Sequence, residues 1–201
     1  MGRTDNDSTK KIYLNIVSGK IAERVTAETP NAIKRYSEKK QADVYEILND
    51  NLTGTIAEMK IDSGDYGKQL LITIKDMGEK YILTLPVESK FFDSFCSKIM
   101  GVDLSKEIKI TPYSFMPKDS DKKKTGINIY QNDEKLPYHF TKENPQGKPF
   151  PEAENLGEDD WKIFKIKERK FFCEMIEKIN SGAVKQTENN SNNNQTDDMP
   201  F

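Results

Sequence analysis

The stretch of residues 52–85 reads LTGTIAEMKIDSGDYGKQLLITIKDMGEKYILTL. Apolar and polar residues alternate along most of it, a period of two that is typical of half-buried β-strands. The intervening turns, 62–67 and 76–79, contain the Gly and Asp residues that tight turns favour, and Pro86 ends the stretch. The pattern predicts three consecutive strands at 52–61, 69–75 and 80–85.

Further strands are predicted on both sides of this stretch. Upstream, alternation at 12–17 and again at 21–26 predicts a pair of strands joined by Ser18 and Gly19. Downstream, strands are predicted at 106–115 and 125–131, with the basic loop MPKDSDKKK (116–124) between them.

Two helices are predicted from apolar residues at helical spacing. The first covers 89–100, and Gly101 is predicted to be its C-terminal cap. The second covers 158–180 and starts with three acidic residues, where negative charge suits the positive end of the helix dipole. Its predicted apolar face consists of Trp161, Phe164, Phe171, Phe172, Met175 and Ile179.

A helix between the third and fourth strands of the central run is the order expected of an OB-fold, a five-stranded Greek-key barrel. We therefore predict a mainly β (α+β) chain: an OB-fold barrel over 10–180 with added strands, one helix between strands and a C-terminal helix. Residues 1–9 are predicted to be flexible. The Asn-rich stretch 181–196 is predicted to be a disordered polar linker, since it has too few apolar side chains to form a core.

The composition argues against an enzyme. The 201 residues include one His, His139, and two cysteines, Cys96 and Cys173, which form no CxxC pair. Neither a GxGxxG nor a GxxxxGK[ST] motif is present. The sequence therefore predicts no catalytic site, no cofactor and no metal site. No apolar run approaches the roughly 20 residues that span a bilayer, and the first residues lack the apolar stretch of a signal peptide, so a cytoplasmic protein without membrane contacts is expected.

Positive charge is concentrated locally although the net charge is −2. Residues 31–40 carry four cations against one acid, and residues 105–150 carry nine lysines against six acids, so each stretch sums to +3. Aromatic residues are interleaved with these cations, as in proteins that hold single-stranded nucleic acid by phosphate contacts and base stacking. The predicted nucleic-acid-binding residues are Lys34, Arg35, Tyr36, Lys39, Lys40, Tyr66, Lys68, Tyr81, Tyr113, Phe115, Lys118, Lys122, Lys123, Lys124, Tyr130 and Tyr138.

The last five residues of the sequence are Asp197, Asp198, Met199, Pro200 and Phe201. This DDMPF segment, on its polar linker, resembles the acidic tip of single-stranded DNA-binding proteins, and the body resembles the phage-encoded members of that family. The resemblance implies an OB-fold core that binds DNA and a tip that docks a polymerase, primase, helicase or nuclease. It also implies a phage protein in the host cytoplasm, and it leaves a homo-oligomer open. The chain departs from the bacterial type in having a single tryptophan, Trp161, which is expected to be buried in the second helix.

The function expected from these features is sequence-independent binding and protection of single-stranded DNA during replication, recombination and repair. An RNA-binding OB-fold protein, such as an RNA chaperone, is the first alternative. A metal-dependent nuclease that uses Glu158, Asp159 and Asp160 is the second, and it is disfavoured because three consecutive acids cannot face one point on a helix.

Overall fold

The computed structural model describes residues 10–38, 40–64, 67–118, 120–151 and 156–181. Ten strands and two helices lie in these ranges: β1 (Lys11–Val17), β2 (Lys20–Val25), β3 (Ile33–Ser37), β4 (Ala42–Asn49), β5 (Leu52–Gly64), β6 (Gly67–Asp76), β7 (Glu79–Pro86), α1 (Lys90–Ile99), β8 (Glu107–Phe115), β9 (Lys124–Gln131), β10 (Glu134–Lys135) and α2 (Glu158–Asn180). The predictions for 1–9, the linker beyond Ser181, Lys39, Tyr66 and the segment 197–201 lie outside the described residues.

The ten strands form one mixed sheet in the order β10-β9-β8-β5-β6-β7-β1-β2-β4-β3. Neighbouring strands are antiparallel except for β1 and β7, which are parallel. The predicted run of three strands is confirmed as β5, β6 and β7. A short turn at Met77 and Gly78 joins β6 to β7. In β5, residues 52–55 pair with β8 and residues from Thr55 onward pair with β6, with a register shift between Ile56 and Glu58.

The core lies between one face of the sheet and the two helices. Alternate residues of the central strands, such as Leu70, Ile72 and Ile74 of β6, are fully buried on this face. Helix α1 begins at a Ser89 cap whose side chain accepts a hydrogen bond from the Phe92 backbone N–H, and it adds its own apolar face to the core. The main contributions from the helices are Phe92, Phe95, Cys96 and Ile99 of α1 and Phe172, Met175, Ile176 and Ile179 of α2.

A mainly β, α+β architecture is thus present, but the sheet is open and the predicted closed barrel is not confirmed. Helix α1 occupies the free side of β9. The Ser94 hydroxyl accepts a hydrogen bond from the Ile127 backbone N–H at 2.9 Å and donates one to the Ile127 carbonyl at 3.1 Å. The Lys98 ammonium donates to the same carbonyl at 2.7 Å. Helix side chains thus satisfy these backbone groups, and none of the strands in the described ranges pairs with β9 at Ile127 on this side.

The sheet is nevertheless curved so strongly that the turn between β1 and β2 contacts β8. Gly19 in this turn has a positive φ of 80°, and a Cβ at its position would lie 2.4 Å from the Ser114 backbone nitrogen. Only glycine fits such a close approach of two backbones. The contact places the β1–β2 hairpin beside the carboxyl-terminal end of β8.

Several local predictions were wrong. The hairpin β3–β4 was not predicted, because its charged residues obscured the alternation. Gly101 does not cap α1 in a left-handed conformation, since the helix ends at Met100 with ordinary helical angles. The predicted bounds of α2 are confirmed, but Trp161 is 47% exposed and not buried, because only the second half of α2 packs on the core.

Candidate nucleic-acid interface

The outer face of β8 and β9 carries several of the predicted aromatic residues. The β8–β9 register is continuous through Pro112, so the outward side chains of the two strands alternate regularly with the buried isoleucines. Tyr113 and Phe115 of β8 and Tyr130 of β9 therefore share one face, and Tyr138 from the following segment reaches Tyr113 through a hydroxyl–hydroxyl hydrogen bond. We call Tyr113, Phe115, Tyr130 and Tyr138 the aromatic strip.

Close packing holds Tyr113 in place within the aromatic strip. Its ring lies over Gly126, its partner in β9, where a Cβ would come within 2.5 Å of the Tyr113 hydroxyl oxygen. Its ring centroid is 6.0 Å from that of Phe115. Burial, and then the neighbouring Tyr138 hydroxyl, raise the pKa of Tyr113. Phe115 and Tyr138 are 52% and 53% exposed, so the strip offers ring surface to a ligand.

Lysines border the aromatic strip on both sides. The Lys109 ammonium lies 5.1 Å from the centre of the Tyr130 ring, and the Lys98 ammonium 4.2 Å from that of Tyr138. Lys124 is paired opposite Phe115. The β8–β9 loop adds three exposed lysines that were predicted from the sequence, Lys118, Lys122 and Lys123. The structure thus brings together four predicted aromatic residues and four predicted lysines.

Lys98 is a buried cation, with only 3% of its surface exposed. Its ammonium donates hydrogen bonds to the Ser94 hydroxyl at 3.1 Å and to the Ile127 carbonyl at 2.7 Å. Burial, and then the charge of Lys135, lower its pKa from 10.5 to about 8. Lys98 therefore joins α1, β9 and Tyr138 at the cost of a desolvated charge.

We expect this cost to appear as a pH dependence of stability. Between pH values of about 8 and 10.5 the folded chain binds fewer protons at Lys98 than the unfolded chain does, so stability rises with pH. Relative to the Lys98→Met variant, the native chain should gain about 2 kcal/mol in the free energy of unfolding from about pH 7 to about pH 10. Urea denaturation at a series of pH values measures this difference. A difference that does not change with pH would contradict the assignment.

A second basic surface, which the sequence did not reveal, lies on the outer face of β1, β7 and β6. Lys11 is paired with Lys80, and Lys80 with Lys75, so three lysines stand side by side on neighbouring strands. We call them the lysine row. Lys11 and Lys75 form no salt bridge with any described residue. Like charges directly opposite each other destabilise a sheet, so this arrangement favours an anionic ligand.

The lysine row lines a depression of about 540 Å³. Its charged lining residues are the three row lysines, Lys60 and Glu58, a local sum of +3 (four cations and one acid). Tyr13, 57% exposed, lies within the depression and adds an aromatic surface among the lysines. The depression therefore combines cations with a ring, as the aromatic strip does.

The two surfaces lie on the same side of the sheet, with β5 between them. Thr53 of β5 is paired with Lys109 of β8, and Thr55 of β5 is paired with Lys75 of β6. Residues two apart in a strand share a face, so Lys109 and Lys75 project from the same side of the sheet. Both surfaces therefore belong to the outer face of the sheet, and only β5 lies between them in strand order.

Two of the cations in the predicted cluster at 31–40 are paired with acids. Arg35 makes a two-pronged ion pair with the buried Glu46, at 2.9 and 2.7 Å, and Lys34 contacts Asp43 at 2.7 Å. These contacts raise the pKa of both cations. Tyr36 and Lys40 remain exposed and lie beside Arg24. They are close to β3, which is the end strand of the sheet farthest from β10 and β9 in strand order.

Two other predicted residues lie away from both surfaces. Tyr81 is on the core face of β7, and its hydroxyl bonds to the Glu79 carboxylate, which together with burial raises its pKa to about 12. Lys68 lies beside α2, near Cys173 and Glu177. Neither residue joins the aromatic strip.

The acids at the start of α2 are ordinary features of a helix start. Glu158 and Asp159 both contact Lys162, at 2.9 and 3.4 Å, and remain highly exposed. Among the described residues, no group of three His, Cys, Asp or Glu side chains is arranged to hold a metal ion. Nor does any helix in the described ranges have the length and apolar character needed to cross a membrane.

Comparisons with protein-family models, curated proteins and solved structures found no match to this chain.

Proposed function

We propose that the chain is a non-catalytic protein that binds single-stranded DNA without sequence preference. The observation that carries this proposal is the placement of aromatic rings and lysines on one side of one sheet. Two of these lysines, Lys11 and Lys75, form no salt bridge with any described residue. Cations track the phosphates of a single strand while its bases stack on the rings, and any base offers such a face. A duplex keeps its bases stacked internally, so it gains only the phosphate contacts.

The proposal includes an OB-related core. In support, β5, β6, β7, α1, β8 and β9 follow the order of OB-fold elements, and β5 pairs antiparallel with β8. OB-folds bind oligonucleotides on the face of strands 2 and 3 and on the loops between strands 1–2 and 4–5. In this order those parts correspond to β6 and β7, which carry Lys75 and Lys80, and to the β8–β9 loop with its lysines.

We further propose, from the sequence resemblance alone, that residues 197–201 recruit a replication, recombination or repair enzyme. The short apolar and acidic segment suits a partner pocket with a basic rim. DNA binding by the sheet does not depend on this part of the proposal.

Fluorescence anisotropy with a labelled single-stranded oligonucleotide tests DNA binding. We expect unlabelled single strands to compete far better than duplex of the same length. The slope of log K against log salt should be about −1.4 from Lys11 and Lys75 alone, at about −0.7 per phosphate contact. A flat salt response, or equal competition by duplex, would contradict the proposal. Stronger competition by RNA would favour the RNA-binding alternative, and cleavage of the oligonucleotide with added Mg²⁺ would favour a nuclease.

A further inference from the structure

Tyr138 of the aromatic strip also lines a cleft of about 520 Å³ between α1 and α2. The same cleft is lined by Trp161, from the first turn of α2. Trp161 is the single tryptophan of the chain, and nearly half of its surface is exposed. The cleft therefore links the strip on the sheet to the second helix, and each contributes one aromatic residue to its lining.

The Trp161 ring is supported from its own helix. Its centroid lies 5.3 Å from that of Phe164, with the two rings tilted by 37°, and the Lys165 ammonium lies 5.4 Å from the ring. These neighbours limit its motion without covering it. Tryptophan is enriched among the residues that contribute most to binding interfaces, so an exposed and supported tryptophan that lines a cleft is a candidate contact.

The charges in the cleft balance one another. The Asp93 carboxylate contacts Lys165 at 3.1 Å and Arg169 at 3.7 Å. The Glu168 carboxylate contacts Lys165 at 2.5 Å and Lys148 at 2.7 Å. The lining also includes Glu88 and Lys90, so three acids stand against three cations, and a cleft without net charge suits an uncharged aromatic ring with polar edges better than it suits a phosphate. Ser97 and Thr125 also line it: the Ser97 hydroxyl donates to the Asp93 carbonyl at 2.7 Å, and the Thr125 hydroxyl bonds to that of Ser114 at 3.1 Å. The Ser97 oxygen keeps lone pairs that can accept a hydrogen bond from the polar edge of such a ring.

We infer that this cleft takes one unstacked nucleobase of the bound strand, stacked on Trp161, next to the bases that lie on the aromatic strip. The inference rests on the proposed function, because the base arrives as part of the single strand held on the sheet. It assigns to α2 a direct contact with nucleic acid. The strand then runs from the lysine row over β8 and β9 and turns across Tyr138 into the cleft.

The single tryptophan makes the inference directly measurable in the full-length protein. Tryptophan emission and the anisotropy of a labelled oligothymidine of about 12 nucleotides are followed in parallel titrations. Stacking on Trp161 should quench its emission with the same midpoint as the anisotropy change. An abasic oligomer of equal length supplies the phosphates without bases, and it should leave the emission unchanged.

Variants separate the cleft from the rest of the interface. Trp161→Ala should weaken oligothymidine binding roughly tenfold, the effect of losing one stacked base, whereas Trp161→Phe should retain most of the affinity. Ile163→Ala is the matched control, because Ile163 is 52% exposed on the same helix and does not line the cleft, and it should bind as the native chain does.

The outcomes distinguish a failed inference from a failed function. If the oligonucleotide binds normally, Trp161 emission does not change and Trp161→Ala binds as tightly as the native chain, then the cleft does not bind a base. The proposed function would still stand. Equal quenching by the abasic oligomer would also overturn base stacking in the cleft. If neither anisotropy nor emission changes with any oligonucleotide, the proposed function fails and the inference fails with it.

Discussion

The Lys11→Glu/Lys75→Glu double variant is expected to bind single-stranded DNA about 100-fold more weakly than the native chain at moderate salt. Each replacement removes one phosphate contact and puts a repelling carboxylate in its place. The slope of log K against log salt should become shallower by about 1.4, from two contacts at about 0.7 each. Anisotropy titrations at several salt concentrations measure both quantities.

The same double variant should unfold no more readily than the native chain. Lys11 and Lys75 both face Lys80 across strand pairs, so each replacement turns a like-charge pair into an opposite-charge pair. Such cross-strand pairs contribute roughly 0.2–1 kcal/mol each. A gain in the free energy of unfolding together with a loss of DNA affinity identifies charges that are placed for a ligand and not for the fold.

A control variant with the same change in net charge is Lys20→Glu/Lys106→Glu. In the native chain Lys20 contacts Asp50 at 2.5 Å and Lys106 contacts Asp103 at 3.1 Å, and neither lysine lines the depression at the lysine row. This variant should lose little affinity. If both double variants weaken binding equally, overall charge and not the lysine row governs the interaction.

The lysine row shows why part of the candidate site escaped sequence analysis. The alternation in 52–85 suffices to predict three strands, because half-burial of a strand is a local property. Whether Lys11 stands beside Lys80 depends instead on a parallel pairing between segments almost 70 residues apart in the chain. Register of that kind is set by tertiary packing, and a single sequence contains no direct signal for it.

The open sheet and the exposed tryptophan have similar explanations. Ser94 and Lys98 look like ordinary polar residues of a helix, yet they bond to the backbone of Ile127 and keep α1 on the free side of β9. Helical spacing places Trp161 near the same face as Phe172, but the first turns of α2 extend beyond the part of the helix that is buried. Periodicity identifies a face of a helix and does not show how much of its length is covered.

The Tyr113→Ala/Tyr130→Ala double variant is expected to lose at least about 30-fold in affinity for single-stranded DNA, since each stacked base is worth about 1–3 kcal/mol. Both rings project from the outer face, opposite the buried Ile110 and Ile129, so the core remains intact. Affinity for duplex depends on the lysines and should change little. The preference for single strands should therefore fall with the absolute affinity, as measured by paired anisotropy titrations with single-stranded and duplex oligonucleotides.

Two further variants separate the aromatic rings from other properties of the tyrosines. Tyr113→Phe/Tyr130→Phe keeps both rings and removes both hydroxyls, including the one that bonds to Tyr138, and it should retain most of the affinity. Gly126→Ala retains every ring but places a methyl group 2.5 Å from the Tyr113 hydroxyl oxygen and 2.9 Å from the Ser94 hydroxyl oxygen, so Tyr113 must move and the free energy of unfolding is measured alongside. Binding by Gly126→Ala should therefore weaken toward the level of Tyr113→Ala alone. If the alanine double variant binds normally but unfolds more easily, these tyrosines stabilise the fold and do not contact DNA. Bases must then stack elsewhere on the sheet, and Tyr13, beside the lysine row, is the next ring to test.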